Sequence, residues 1–99
     1  MPRVMFTISY GVKPEMRDTY LSLIAQLKTR FRAKTANDYS VFEAKGKKNT
    51  FTEVFVTKSL EEFETLEDNQ DGTTQELLEK MEECMERGGR KYSTLVETE

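Results

Sequence analysis

The sequence predicts an α+β domain in the order strand, helix, strand, strand, helix, strand, and three observations carry that expectation. The stretch Thr50 to Thr57 alternates with period two and runs straight into a capped helix. Val4 to Tyr10 and Tyr39 to Ala44 alternate in the same way. Met16, Tyr20, Leu23, Ile24, Leu27 and Phe31 recur at spacings of three and four, the stripe of an amphipathic helix. A chain of 99 residues is expected to form one domain, spanning residues 1–99, with a single modest core.

In chain order, Val4, Phe6, Ile8 and Tyr10 alternate with Met5, Thr7 and Ser9, giving a first strand with one strongly apolar face; Gly11 and Pro14 end it. Pro14 suits the first turn of the helix that follows, and the basic residues gathering toward Arg30 and Arg32 suit the negative end of its dipole. Ala36-Asn37-Asp38 reads as a turn into the second strand. The short Gly46-Lys47-Lys48-Asn49 stretch then makes a hairpin with the third. Within Thr50 to Thr57, Phe51, Glu53 and Phe55 share one face and Thr52, Val54 and Val56 the other, so both faces carry apolar bulk.

Ser59 stands at an N-cap with Glu62 three residues on, and that Glu is expected to return a hydrogen bond to the Ser59 amide. Leu60, Phe63 and Leu66 begin a helix that residues 68–72 interrupt; Thr73 and Glu76 form a second capping box before Leu77, Leu78, Met81, Cys84 and Met85. Gly88-Gly89 stop the helix, Tyr92 to Val96 make the last strand, and residues 97–99 read as a short loose end. This order is the split βαβ of ferredoxin-like domains: a four-stranded antiparallel sheet with two helices on one face. The other face is left bare. Apolar bulk on both faces of the central strands makes that bare face an expected interface, most simply with a second copy of the chain.

Composition narrows the chemistry. With 33% charged residues against a usual ~25%, the core is lean and a partner subunit is expected to complete it. The formal net charge of −3 argues against nucleic acid or an anionic membrane as partner. Lysines and arginines crowd residues 28–48, while residues 61–86 hold eleven acids and one Lys, a pattern read first as solvated faces. No run of apolar residues is long enough for a signal peptide or a bilayer span, and the single Cys84 has no intramolecular disulfide partner, so a reducing cytoplasm is the expected setting. With no His and one Cys, ordinary zinc, haem-iron and copper sites lack ligands, and Ser-His or Cys-His nucleophile pairs are excluded. No metal is expected.

The opening strand leading to the Val12 to Met16 helix start, the hairpin, the Phe51 to Leu66 strand-and-helix stretch and the short closing strand together resemble the dimeric α/β-barrel proteins, most closely the antibiotic-biosynthesis-monooxygenase-like group. The resemblance covers almost the whole chain. It implies two subunits whose sheets pack into a barrel, each with a cavity between its own sheet and helices. Members of that family include cofactor-independent monooxygenases of aromatic polyketides or quinols and haem-degrading enzymes. The haem-degrading members use a His on the second helix and an active-site Trp, and this chain has neither; Leu66 and Glu67 stand near where the His would fall. The quinol-forming members use Asn, Trp and Tyr to bind a phenolic substrate and deprotonate it for reaction with oxygen. Asn37, Tyr39, Tyr10 and Tyr92 supply the Asn and Tyr types, and the Trp is missing.

Glu53 is the candidate catalytic residue: mid-strand beside Phe51 and Phe55, it would be partly desolvated, which raises a carboxyl pKa toward that of a general base. The bland alternative is a structural ion pair at an interface. Tyr10, Tyr39 and Tyr92 are the candidate positioners of a phenolic ligand, with Asn37 and Phe55 completing the expected binding set; tyrosines on strands equally serve as core. Met81, Cys84 and Met85 read as flexible core. Three function classes follow: a cofactor-independent oxygenase acting on a small aromatic molecule, a non-catalytic ligand-binding or dimerisation module, and an RNA binder of the same topology. The third ranks last, because Glu53 stands where such a strand should carry a second aromatic.

Overall fold

The strands are β1 (Val4–Gly11), β2 (Asp38–Glu43), β3 (Thr50–Thr57) and β4 (Lys91–Val96), and they form one antiparallel sheet in the order β2-β3-β1-β4. A short 3₁₀ turn at Pro14–Met16 feeds helix α1 (Arg17–Lys34); α2 (Leu60–Thr65) and α3 (Gly72–Cys84) follow β3. The computed structural model describes residues 2–34, 38–65 and 72–98. Asn37 with its predicted turn, Leu66 and Glu67, and most of the predicted helix break before Gly72 lie outside the described residues, as does the side chain of Thr73 in the second capping box. The fold is the expected α+β, ferredoxin-like one.

Register decides which side chains meet the helices. β1 pairs with β3 so that Val4, Phe6, Ile8 and Tyr10 stand opposite Thr57, Phe55, Glu53 and Phe51, and the period-two pleat puts all eight on one face. β2 adds Tyr39 and Val41 to the same rows. α1 lays Tyr20, Leu23, Ile24 and Leu27 on this face, and α3 lays Leu77, Met81 and Cys84 beside them, which closes the core. The opposite face carries Met5, Val54, Val56, Phe42 and Leu95; Met5, Phe42 and Leu95 are 40%, 60% and 54% exposed. The bare face therefore shows valines, a Met, a Leu and one ring to water.

Local signals read from the sequence are realised with some differences: α3 starts at Gly72, ahead of the expected Thr73 cap, and ends at Cys84, where Met85 bridges to Val12, before Gly88-Gly89. Ser59 Oγ accepts from the Glu62 amide at 3.3 Å, and the Glu62 carboxylate accepts from the Lys58 amide, one residue ahead of the expected donor, at 3.0 Å. The chain turns out of β3 there, which presents the earlier amide. The expected loose end is also tied down: the Glu97 amide donates to the Arg3 carbonyl, and Arg3 Nη2 donates to Glu97 Oε2 at 2.8 Å. That pair extends the β1–β4 ladder by one more step.

Two clamps hold the layers in place. Arg17 forks onto both oxygens of Glu43, at 2.6 and 2.8 Å, with its guanidinium 5.5 Å from the centre of the Phe51 ring, so the start of α1 is locked to the hairpin. The Glu43 carboxyl is held down to about 2 by this fork and by the Asn49 amide. At the end of α3, Lys13 donates its amide to the Cys84 carbonyl and its ammonium to that of Glu83, supplying partners for carbonyls that a helix end leaves open. No helix among the described residues is long and apolar enough to cross a membrane.

Leu27 is fully buried beneath α1, whereas Leu21 is 41% exposed on the same helix. Leu27→Ala is expected to lower unfolding stability by about 2–5 kcal/mol, and Leu21→Ala by less than about 0.5 kcal/mol, in urea titrations of each variant.

Candidate functional site

Glu53 sits on β3, the second strand from the edge, and its neighbours across the sheet are Ile8 on β1 and Val41 on β2. All three belong to the helix-covered face. Glu53 is only 4% exposed, so its carboxylate has left most of its water behind. Tyr39 Oη donates to Glu53 Oε1 at 2.6 Å, reaching diagonally from β2, and the hydroxyls of Tyr10 and Tyr20 share a hydrogen bond of 2.6 Å nearby. Among the described residues, no buried side-chain nitrogen or oxygen lacks a partner.

Burial raises the Glu53 pKa above the ordinary carboxyl value, and the hydroxyls of Tyr39 and Tyr10, then the charge of Arg90, oppose it without cancelling it. Burial, followed by the neighbouring Glu53 charge, pushes the Tyr39 and Tyr10 hydroxyls upward as well. Both tyrosines therefore act as neutral donors. The arrangement is a carboxyl that holds its proton more readily than in water, steadied by hydroxyls that do not ionise near neutral pH.

Toward β4 the helix layer stops covering the sheet, and every residue of that strand is exposed. A cavity of about 250 Å³ opens there between the layers. Its sheet side is formed by Phe6, Ile8, Glu53, Phe55 and Tyr92; Phe31 of α1 and Leu78, Met81, Glu82 and Met85, from α3 and just beyond it, form the other wall. Arg90 stands at its edge, bonded through Nη2 to Glu82 Oε1 at 2.7 Å. Gly88 and Gly89, with φ of 142° and 79°, make the reversal after α3 that brings Arg90 back to the cavity, a backbone path that side-chain-bearing residues rarely take.

Of the residues singled out from sequence, Glu53, Phe55 and Tyr92 come together as lining of this cavity. Tyr92 is 60% exposed and its ring stacks on Phe6 with centroids 6.1 Å apart. Tyr39 and Tyr10, 1% and 4% exposed, belong to the core and reach the site only through hydroxyls turned toward Glu53. Asn37 lies outside the described residues. Sequence reasoning passed over Tyr20, Phe6, Phe31, Glu82 and Arg90. Phe6 could have been found, since it shares the parity of Tyr10 on β1; the position of Arg90 depends on the path of a glycine turn, for which no periodic signal exists. Among the described residues, no group of three His, Cys, Asp or Glu side chains is placed to hold a metal ion.

No family model matches the chain, and no curated protein sequence does. Solved structures do. A candidate antibiotic biosynthesis monooxygenase from Caulobacter crescentus superposes with a TM-score of 0.83 at 12% identity, over 99% of this chain and 92% of that one. A conserved protein from Methanosarcina mazei gives 0.81 at 16% identity, over 96% and 92%. A variant of SnoaB, a cofactor-independent oxygenase from Streptomyces nogalater, gives 0.74 at 11% identity, over 94% and 90%. The chain thus has the fold of these antibiotic-biosynthesis-monooxygenase-like structures, as the sequence resemblance implied.

A carboxyl with a raised native pKa binds its proton more tightly folded than unfolded. Its contribution to stability is therefore complete below the ordinary carboxyl value and is lost as pH rises through the native pKa. Glu43 and Glu97, both held down to about 2, have the opposite slope, losing their contribution as pH falls from the ordinary value to about 2. Glu53→Gln is expected to abolish the first limb and leave the second, as read by thermal unfolding across pH; Arg17→Met should shrink the Glu43 share of the second to what the Asn49 amide holds.

Proposed function

We propose that this chain binds a small hydroxylated aromatic molecule in the cavity beneath its helices and acts on it as a cofactor-independent monooxygenase, with Glu53 as general base. The observation that carries this reading is the buried Glu53 carboxylate facing a cavity walled by Phe6, Phe31, Phe55 and Tyr92. Desolvation is what gives a carboxylate enough proton affinity to draw a proton from a phenol or from an acidic ring carbon. Tyr39, bonded to one carboxylate oxygen, holds the group in place.

The chemistry then runs on the substrate's own electrons. Glu53 takes the proton, and the resulting anion spreads its charge into the ring and attacks dioxygen at carbon. For a methylene conjugated to the phenol, one oxygen atom remains as a carbonyl and the other leaves with the two hydrogens as water. The fold shared with the Streptomyces nogalater oxygenase supports this reading. A homodimer is part of it: a second copy packed sheet to sheet would cover Met5, Val54, Val56, Phe42 and Leu95. So is a cytoplasmic setting, supported by a single cysteine, Cys84, that is fully buried. A second reading, a non-catalytic ligand-binding or dimerisation module, draws on the fact that Glu53 is already hydrogen-bonded without a ligand.

Oxygen uptake with a panel of hydroquinones and anthrones separates the two readings. The wild type is expected to consume oxygen with at least one of them, with a rate that rises through one ionisation above the ordinary carboxyl value. Glu53→Gln should lower that rate by about 10²–10⁴-fold while remaining dimeric. No uptake with any compound would favour the module. For the dimer, light scattering is expected to give twice the chain mass for the wild type and the chain mass for Val54→Asp, which places a charge in the middle of the bare face.

A further inference from the structure

Resting on the reading that the cavity takes a hydroxylated aromatic molecule, we infer that the Arg90–Glu82 pair at its mouth selects ligands that carry a carboxylate, which displaces Glu82 from Arg90 while the ligand hydroxyl meets Glu53. Arg90 is the single cation among the described residues that line the cavity. Its present partner is easily released: the Glu82 side chain is 57% exposed, and an ion pair in water contributes only about 0–1 kcal/mol. A planar guanidinium matches a carboxylate with two parallel hydrogen bonds, whereas the contact with Glu82 runs from one nitrogen to one oxygen.

The spacing of the sheet sets the ligand's length. Glu53 and Tyr92 flank Ile8 in one row, and neighbouring strands lie about 4.8 Å apart, so the base and the β4 end of the site are separated by about 10 Å. Arg90 enters β4 two residues before Tyr92. One or two fused rings with a hydroxyl at one end and a carboxylate at the other span that distance. A volume of about 250 Å³, below the ~300 Å³ at which drug-sized pockets begin, disfavours larger ring systems. With Glu82 turned into water, the ligand's carboxylate faces the single cation among the described lining residues.

The probes are a hydroxynaphthoate and the corresponding naphthol, whose fluorescence is read against a protein that contains no Trp. The wild type is expected to bind the hydroxynaphthoate more tightly than the naphthol, by about tenfold or more, the scale of one charge-assisted pair. Arg90→Gln should erase that preference while naphthol still binds, and Arg90→Lys should retain part of it. Glu82→Gln should strengthen hydroxynaphthoate binding, because it removes the competing carboxylate. Equal affinity of the wild type for both probes, or a preference that survives in Arg90→Gln, overturns the inference while naphthol binding upholds the cavity reading. Absence of naphthol binding overturns that reading and this inference together.

Discussion

A slip of one residue between β1 and β3 would turn every side chain of β3 to the other face of the sheet, and the organisation of the molecule rests on the register that prevents it. Pairing Ile8 with Glu53 and Tyr10 with Phe51 puts a carboxylate under the helices in a row of apolar side chains. The slip is opposed by what it would expose. Phe51 is 3% exposed and packs its ring 4.6 Å from that of Tyr20, and Phe55 lies 4.7 Å from Tyr39 and 5.5 Å from Phe31. Burying these aromatics supplies the free energy that keeps Glu53 out of water, and Tyr39 makes the burial tolerable by donating to it.

The cavity follows from the same geometry. Helices α1 and α3 converge over β3 and β1, where the largest side chains project, and their coverage ends before β4. Rings that pack closely over β2 and β3 become half-covered toward β4, where Phe6 meets Tyr92. The site is therefore the margin of the core. This explains why its polar groups differ in character: Glu53, well inside, has its proton affinity raised by lost solvent, while Arg90 and Glu82, at the margin, form an ion pair open to water.

Much of the fold was legible in particular residues. The alternation of Phe51, Glu53 and Phe55 named the buried face of β3, Ser59 named the start of α2, and the Tyr20 to Leu27 stripe named the face of α1 that packs. The environment of Glu53 was legible for the same reason, since a strand's parity tells which neighbours a side chain shares. The roles of the tyrosines were less so. Tyr10, Tyr39 and Tyr92 look alike as strand residues, yet the first two are core hydroxyls around Glu53 and the third is a surface ring, because the described parts of the helices leave β4 exposed. Tyr20 was legible as core, but its bond to Tyr10 was not, since a helix stripe gives no information on which strand residue its polar tip will meet.

By itself the sequence determined the order of the elements, the face each presents to the core, the absence of histidine chemistry, and the oddity of an acid placed among aromatics. These follow from periodicities of two and 3.6 and from composition, which are local properties of the chain. Tertiary structure alone decided that Glu53 opens on a cavity, that Arg90 and Glu82 stand at its mouth, and that Tyr10 and Tyr39 serve the carboxylate from within the core. Those facts depend on where a glycine reversal aims the chain and where one layer ceases to cover another, and no residue's neighbours in sequence record either.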